Sequence, residues 1–111
     1  PTFVGVFPLM DKDGLGERAL AVTEELRDSG FSVAYDDSGS IGRRYRRQDE
    51  VGPPYCGTID YESMEDDTAT LRDRDSAAQR RITLADLPDV LDALRAGERA
   101  FEDVGVALAD A

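Results

Sequence analysis

Histidine and tryptophan are absent from this 111-residue sequence, and cysteine and lysine each occur once, as Cys56 and Lys12. Without histidine, the side chain best suited to moving protons near neutral pH is missing. One cysteine and no histidine also leave no nitrogen and sulfur ligand set for zinc. A lone cysteine excludes an intramolecular disulfide, and a reducing compartment, the cytoplasm, is the default expectation. No apolar run approaches the roughly 20 residues needed to cross a bilayer. The opening Pro1-Thr2-Phe3-Val4 has neither the basic region of a signal peptide nor an initiator methionine, so the chain is expected to begin inside a longer protein.

Acidic residues are plentiful: 24 Asp and Glu stand against 13 Lys and Arg, giving a formal charge of −11. With 41% hydrophobic residues this is the composition of one folded domain, large enough for a single core. The surplus of acids and the near-total use of arginine as the cation fit an ordinary acidic protein from a high-GC genome or, as the sharper reading, a halophile proteome, in which high salt screens self-repulsion. Such a chain repels polyanions in general, so any local concentration of arginine reads as an anion site, for phosphate or nucleic acid. Four arginines fall in the five residues 43–47, and a second group, Arg72, Arg74, Arg80 and Arg81, lies across a predicted hairpin.

The β-branched and aromatic run from Thr2 to Met10 predicts a buried strand. Leu15, Ala19, Val22 and Leu26 recur at helical spacing up to a stop at Gly30, and Phe31 to Tyr35 predicts a second strand. Strand, helix and strand of this length imply a parallel crossover. Ser40 is placed to cap a helix running to about Val51, broken by Gly52-Pro53-Pro54. Tyr55 to Tyr61 predicts a third strand and Glu62 to Asp67 an acidic turn. Thr68–Arg74 and Gln79–Leu84 predict a hairpin, and Leu87 to about Gly97 a last helix with Pro88 in its first turn. The order is βαβαβββα, five strands with helices on both faces; Glu98–Ala111 is weakly patterned and expected to be a partly disordered tail.

Ser38-Gly39-Ser40-Ile41-Gly42 ahead of Arg43 reads either as a phosphate cradle at a helix start or as a turn with a serine cap. Arg43, Arg44, Arg46 and Arg47 spread around a helix, so they cannot all face one ligand. A solvated face paired with Asp49 and Glu50 is the other reading. Strand alternation sends Arg72 and Arg74 to one side and Asp73 to the other, for bidentate contact with phosphate or guanine or for cross-strand pairs with Asp60 or Glu62. Tyr45 is the aromatic best placed to stack on a base, and Cys56 reads as buried filler. The acids are scattered, and no catalytic constellation is expected.

The stretches Ser38-Gly39-Ser40-Ile41-Gly42-Arg43-Arg44-Tyr45, Asp49-Glu50-Val51-Gly52-Pro53-Pro54, Tyr55-Cys56 and Arg72-Asp73-Arg74-Asp75 resemble the C-terminal anticodon-binding domain of archaeal and eukaryotic-type glycyl-tRNA synthetases. The resemblance implies a three-layer α/β/α domain over residues 1–97, whose mixed five-stranded sheet has order 2-1-3-4-5 with strand 4 antiparallel. It implies binding of the anticodon stem-loop of glycine tRNA, whose anticodon carries two cytosines. The parent enzymes join glycine to tRNA with ATP and Mg²⁺, usually as homodimers, and their catalytic motifs are not among these residues. No cofactor is therefore expected in this chain itself. On this basis Arg43, Arg44 and Arg47 are expected to hold backbone phosphates and Tyr45 to stack. Arg72 and Arg74, with Asp60, Glu62 and Asp73, are expected to read base edges, since a carboxylate accepts from the cytosine amine. The same module from a prolyl, threonyl or histidyl synthetase, or a protein-docking domain with no RNA preference, are the alternatives.

Overall fold

In the computed structural model, which describes residues 2–108, the first apolar run condenses into β1 (Val4–Pro8), buried at every position. A strand with no polar alternation belongs inside a sheet covered on both sides. The helix α1 (Leu15–Asp28) follows, burying the stripe Leu15, Ala19, Val22 and Leu26. Gly30, at φ 94°, ends it, with the Phe31 N–H donating to the Leu26 carbonyl at 3.1 Å. The chain returns as β2 (Val33–Tyr35), parallel to β1 with Val33 opposite Val4.

The helix α2 (Ile41–Val51) is capped as expected, the Ser40 hydroxyl accepting from the Arg43 N–H at 3.3 Å. It stops at Gly52, where any Cβ would lie 2.5 Å from Gln48 Cα. Next comes β3 (Tyr55–Ile59), parallel to β1 on the side away from β2.

The expected acidic turn at 62–67 is instead a six-residue helix, α3 (Tyr61–Asp66). Asp60 and Ser63 close a reciprocal cap: the Asp60 carboxylate accepts from the Ser63 N–H and the Ser63 hydroxyl from the Asp60 N–H, both at 3.0 Å. The hairpin strands β4 (Thr68–Asp73) and β5 (Gln79–Thr83) then add antiparallel pairs, and α4 (Leu87–Arg95) carries Pro88 in its first turn.

The sheet order is β2-β1-β3-β4-β5-β6, so the anticipated arrangement 2-1-3-4-5 with strand 4 antiparallel is present and a sixth strand extends it. That strand, β6 (Val106–Ala107), lies in the segment read from the sequence as a tail. A 3-10 turn at Phe101–Asp103 leads to Val104, which is fully buried in the core. Gly105, at φ 54°, then passes so close to β5 that a Cβ would sit 2.2 Å from the Arg81 carbonyl oxygen. The part of the expected disorder that falls on 109–111 lies outside the described residues.

The apolar core lies between α1, α4 and one face of the sheet, built on Val4, Val6, Ile59, Leu71 and Ile82. On the other face α2 packs over β1 and β3 through Tyr45 against Phe7 and Gln48 beneath Gly5. The register continues that face across β4 and β5 as Thr68, Thr70, Arg72, Gln79, Arg81 and Thr83, a polar strip on which Thr68 and Thr70 are buried, Arg72, Gln79 and Arg81 half-buried and Thr83 exposed. No described helix is long and apolar enough to cross a membrane.

Candidate nucleic-acid interface

Two neighbouring surfaces carry the candidate residues. The first is the rim where β1, β2 and β3 end: Met10–Gly14, Asp36–Ser40 and Asp60–Tyr61. With strand order 2-1-3, the connections leaving β1 and β2 take α1 and α2 to opposite faces, which opens a crevice at the carboxyl ends of β1 and β3. The second is the polar strip of β4 and β5, for which α2 forms a side wall.

At the rim, Arg47 donates to the Asp36 carboxylate at 2.7 Å and to the Ser38 carbonyl at 3.1 Å. Burial alone would raise the Asp36 pKa, but the bonds from Arg47 and Ser38 outweigh it and hold the carboxyl below its ordinary value. Arg44 departs from the expected phosphate-holding group. It is only 2% exposed and turns inward, donating to the carbonyls of Pro8 at 2.6 Å and of Leu9 and Asp36 at 3.3 Å. Its guanidinium ties the ends of β1 and β2 to α2, and none of it faces solvent as a phosphate contact must. Arg43 and Arg46 are exposed, and among the described residues their side chains have no hydrogen-bond or ion-pair partner within the chain.

On the strip, Arg72 meets Asp49 of α2 in a two-point contact at 2.6 and 3.2 Å while lying over the Tyr45 ring, 4.9 Å from its centroid. The Tyr45 hydroxyl bonds Thr58 at 2.7 Å and the ring also packs at 6.2 Å on Phe7. Tyr45 is therefore a wedge between α2 and the sheet, with its faces already occupied, and the expected base platform is absent there. The exposed aromatic is Tyr61, 42% accessible at the start of α3, its hydroxyl 2.7 Å from Asp13. Its signal in the sequence was its place directly after the capping Asp60.

Asp60 and Glu62 pair with Arg81, a residue grouped with the hairpin cluster in the sequence but given no role. Arg81 reaches both Asp60 oxygens at 3.2 and 2.7 Å, Glu62 at 2.6 Å and the Thr68 hydroxyl at 3.0 Å. The register, with Thr70 opposite Arg81, puts it on the face of Arg72. With two bonds from Ser63 as well, the Asp60 carboxylate is saturated, whereas Glu62 is more than half exposed and keeps an oxygen for a ligand.

Burial would raise the Asp60 pKa, but bonds from Arg81 and Ser63 bring it below the ordinary 3.8. A depressed carboxyl contributes stability that is complete above the unfolded pKa and lost as pH falls through the folded one. Stability should therefore fall steeply in acid below about pH 4. Asp60→Asn should be destabilised at pH 7 and lose less on going to pH 3, as read by urea unfolding at both values.

Arg74 lies at the far end of the strip, and Asp73 beside it turns to the opposite face. Asp73 pairs with Tyr55 at the beginning of β3, while Asp60 follows its end, roughly 13–17 Å away along the strands. Arg74 is anchored, its side chain donating to the Gly52 carbonyl at 2.7 Å and its backbone N–H to that of Pro54 at 2.9 Å. Asp73 accepts from the Ser76 hydroxyl at 2.8 Å within the hairpin turn. The proposed base readers thus form two groups, Asp60 with Glu62 at the rim and Arg72 through Arg74 towards the turn. Cys56 is buried beneath α2, which pushes its thiol up to about 12, too high for a reactive thiolate. No cluster of metal-ligating side chains occurs among the described residues.

The anticodon binding domain family matches residues 4–94. Glycine–tRNA ligases from Archaeoglobus fulgidus and Methanothrix thermoacetophila are 44% and 47% identical over 95% and 96% of the chain, and that of Treponema pallidum 56% over 82%. The chain spans about a fifth of the length of these relatives, 18–20%. The RNA binding domain of a threonyl-tRNA synthetase from Cryptosporidium parvum superposes with a TM-score of 0.76 at 27% identity, over 84% of this chain and 23% of that one. A prolyl-tRNA synthetase from the same organism superposes at 0.80 with 17% identity, over 87% of this chain and 21% of that one, a likeness of fold.

Proposed function

The chain belongs to the anticodon binding domain family, and from that premise we propose that it is the module with which a glycine–tRNA ligase holds the anticodon stem-loop of glycine tRNA. The observation that carries this reading is the polar strip of β4 and β5 beside α2, whose half-buried Arg72 and Arg81 pair with the exposed carboxylates of Asp49 and Glu62. Such pairs hold the guanidinium forks in place, and their exposed carboxylate partners Asp49 and Glu62 leave each pair reachable from solvent. Arg72 can leave Asp49 for a base edge or a phosphate. Glu62 accepts from a cytosine amine, with Asp60 and Arg81 positioning it. Tyr61 offers the stacking surface. Arg47 at the rim meets a phosphate of the loop, and Arg74 with Asp73 shapes the turn that borders the loop.

In the same reading, residues 4–108 form one unit, with the segment after Gly97 included in the domain. Glycine activation with ATP and Mg²⁺, the catalytic domain as covalent partner, homodimerisation and cytoplasmic location belong to the longer parent protein. The acid-rich, lysine-poor surface fits a halophilic source, so binding and unfolding belong in molar KCl. The test is affinity for a glycine-tRNA anticodon stem-loop beside one with both anticodon cytosines replaced. A preference for the native loop supports the reading, and equal binding removes the anticodon from it. Identity of 44–56% to glycine–tRNA ligases favours glycine tRNA over the prolyl and threonyl alternatives.

A further inference from the structure

Resting on that reading, we propose that the outer ridge of α2, formed by Gly42, Arg43 and Arg46, is a second RNA contact that grips the backbone of the double-stranded anticodon stem without reading its sequence. Ten of the arginines donate to a carboxylate or carbonyl of the chain, from Arg18 on Asp67 to Arg99 on Asp103. Among the described residues the side chains of Arg43 and Arg46 alone donate to none, in a protein where acids outnumber bases 24 to 13. They are three residues apart on one helix, which sets their Cβ atoms roughly 5–6 Å from each other, on the side facing away from the buried Arg44 and Gln48.

Two further features of the ridge act against the stability of the helix itself. Its first turn holds no acidic residue and places Arg43 against the positive end of the helix dipole, an unfavourable arrangement unless an anion arrives. Gly42 sits in the same turn although a Cβ there would meet nothing within 4 Å and its φ is not positive. Folding does not require glycine at that position, and helix propensity disfavours it. A bare backbone flanked by two unpaired guanidinium groups suits the close approach of a phosphate chain. Because α2 walls the strip of β4 and β5, a hairpin whose loop lies on the strip carries its stem over this ridge. Double-stranded RNA is held through just such phosphate contacts and shape.

The experiment compares the unaltered chain with Arg43→Gln/Arg46→Gln and with Gly42→Ala, from 0.1 to 1 M KCl. Three RNAs are used: the native stem-loop, the stem-loop with both cytosines replaced, and the linear loop sequence without a stem. Each phosphate contact adds about 0.7–0.9 to the salt slope, so losing two should weaken stem-loop binding roughly 20- to 60-fold at 0.1 M and hardly at all at 1 M. The preference for the native loop should survive, binding of the linear RNA should not change, and thermal melts should show a folded variant. Gly42→Ala should melt no lower than the parent chain yet bind both stem-loops more weakly. An unchanged salt slope, or an equal loss on the linear RNA, would overturn the stem contact. Failure of the unaltered chain to prefer the native loop counts against the anticodon reading instead, whatever the slope does.

Discussion

Arg44→Ala should lower stability by about 3 kcal/mol, a drop in melting temperature of roughly 10–20 °C, and leave the RNA affinity of the folded fraction nearly unchanged. The basis is the inward path of the side chain, which donates to three backbone carbonyls at the ends of β1 and β2. A hydrogen bond from a charged donor contributes about 1.5–3 kcal/mol, offset here by the cost of burying the charge. Removing the guanidinium leaves those carbonyls without a donor beside a cavity. Arg44→Lys should recover less than half of the loss, since one ammonium cannot span three acceptors held in a planar fan. Urea unfolding and a stem-loop titration check both parts. Native stability with lost RNA binding would return Arg44 to the interface.

Ending the chain at Gly97 should destabilise the domain by about 3–4 kcal/mol and promote association. Fully burying a valine contributes about 1.5–2 kcal/mol, and Val104 is fully buried. Phe101 stacks on Tyr55 at 6.0 Å, and Arg80 donates to the carbonyls of Val104 at 2.7 Å and Gly105 at 3.3 Å. Without β6 the edge of β5 is bare, and an unpaired edge invites pairing with another chain. Urea unfolding together with sedimentation measures both effects. An unfolding midpoint equal to that of the full chain would contradict the inclusion of this segment in the fold.

Most of the architecture was legible because its signals are long and periodic: the uninterrupted apolar β1, the 3.6-residue stripe of α1, the Ser40 cap and the hairpin. What escaped was set by single residues. The helix α3 depends on the reciprocal cap of Asp60 and Ser63, and in an acid-rich window its one buried residue, Ser63, gave no apolar period. The strand β6 is two exposed residues, made possible by Val104 and Gly105. The direction of Arg44 was obscured because arginines occupy nearly every side of α2, although Ile41, Arg44 and Gln48 share a spacing that places Arg44 on the inner stripe. Charge pairing is a matter of tertiary distance, so the assignment of Asp60 and Glu62 to Arg81 became visible only with β4 and β5 side by side.

The most direct measurement is the affinity of this chain, in molar KCl, for the glycine-tRNA anticodon stem-loop against the same hairpin with both anticodon cytosines replaced. Each unmatched base contact is expected to cost about 1–3 kcal/mol, so the native loop should bind at least tenfold more tightly, and Arg72→Ala should erode that preference. Equal affinity for the two hairpins would contradict the claim that the polar strip beside α2 reads the anticodon.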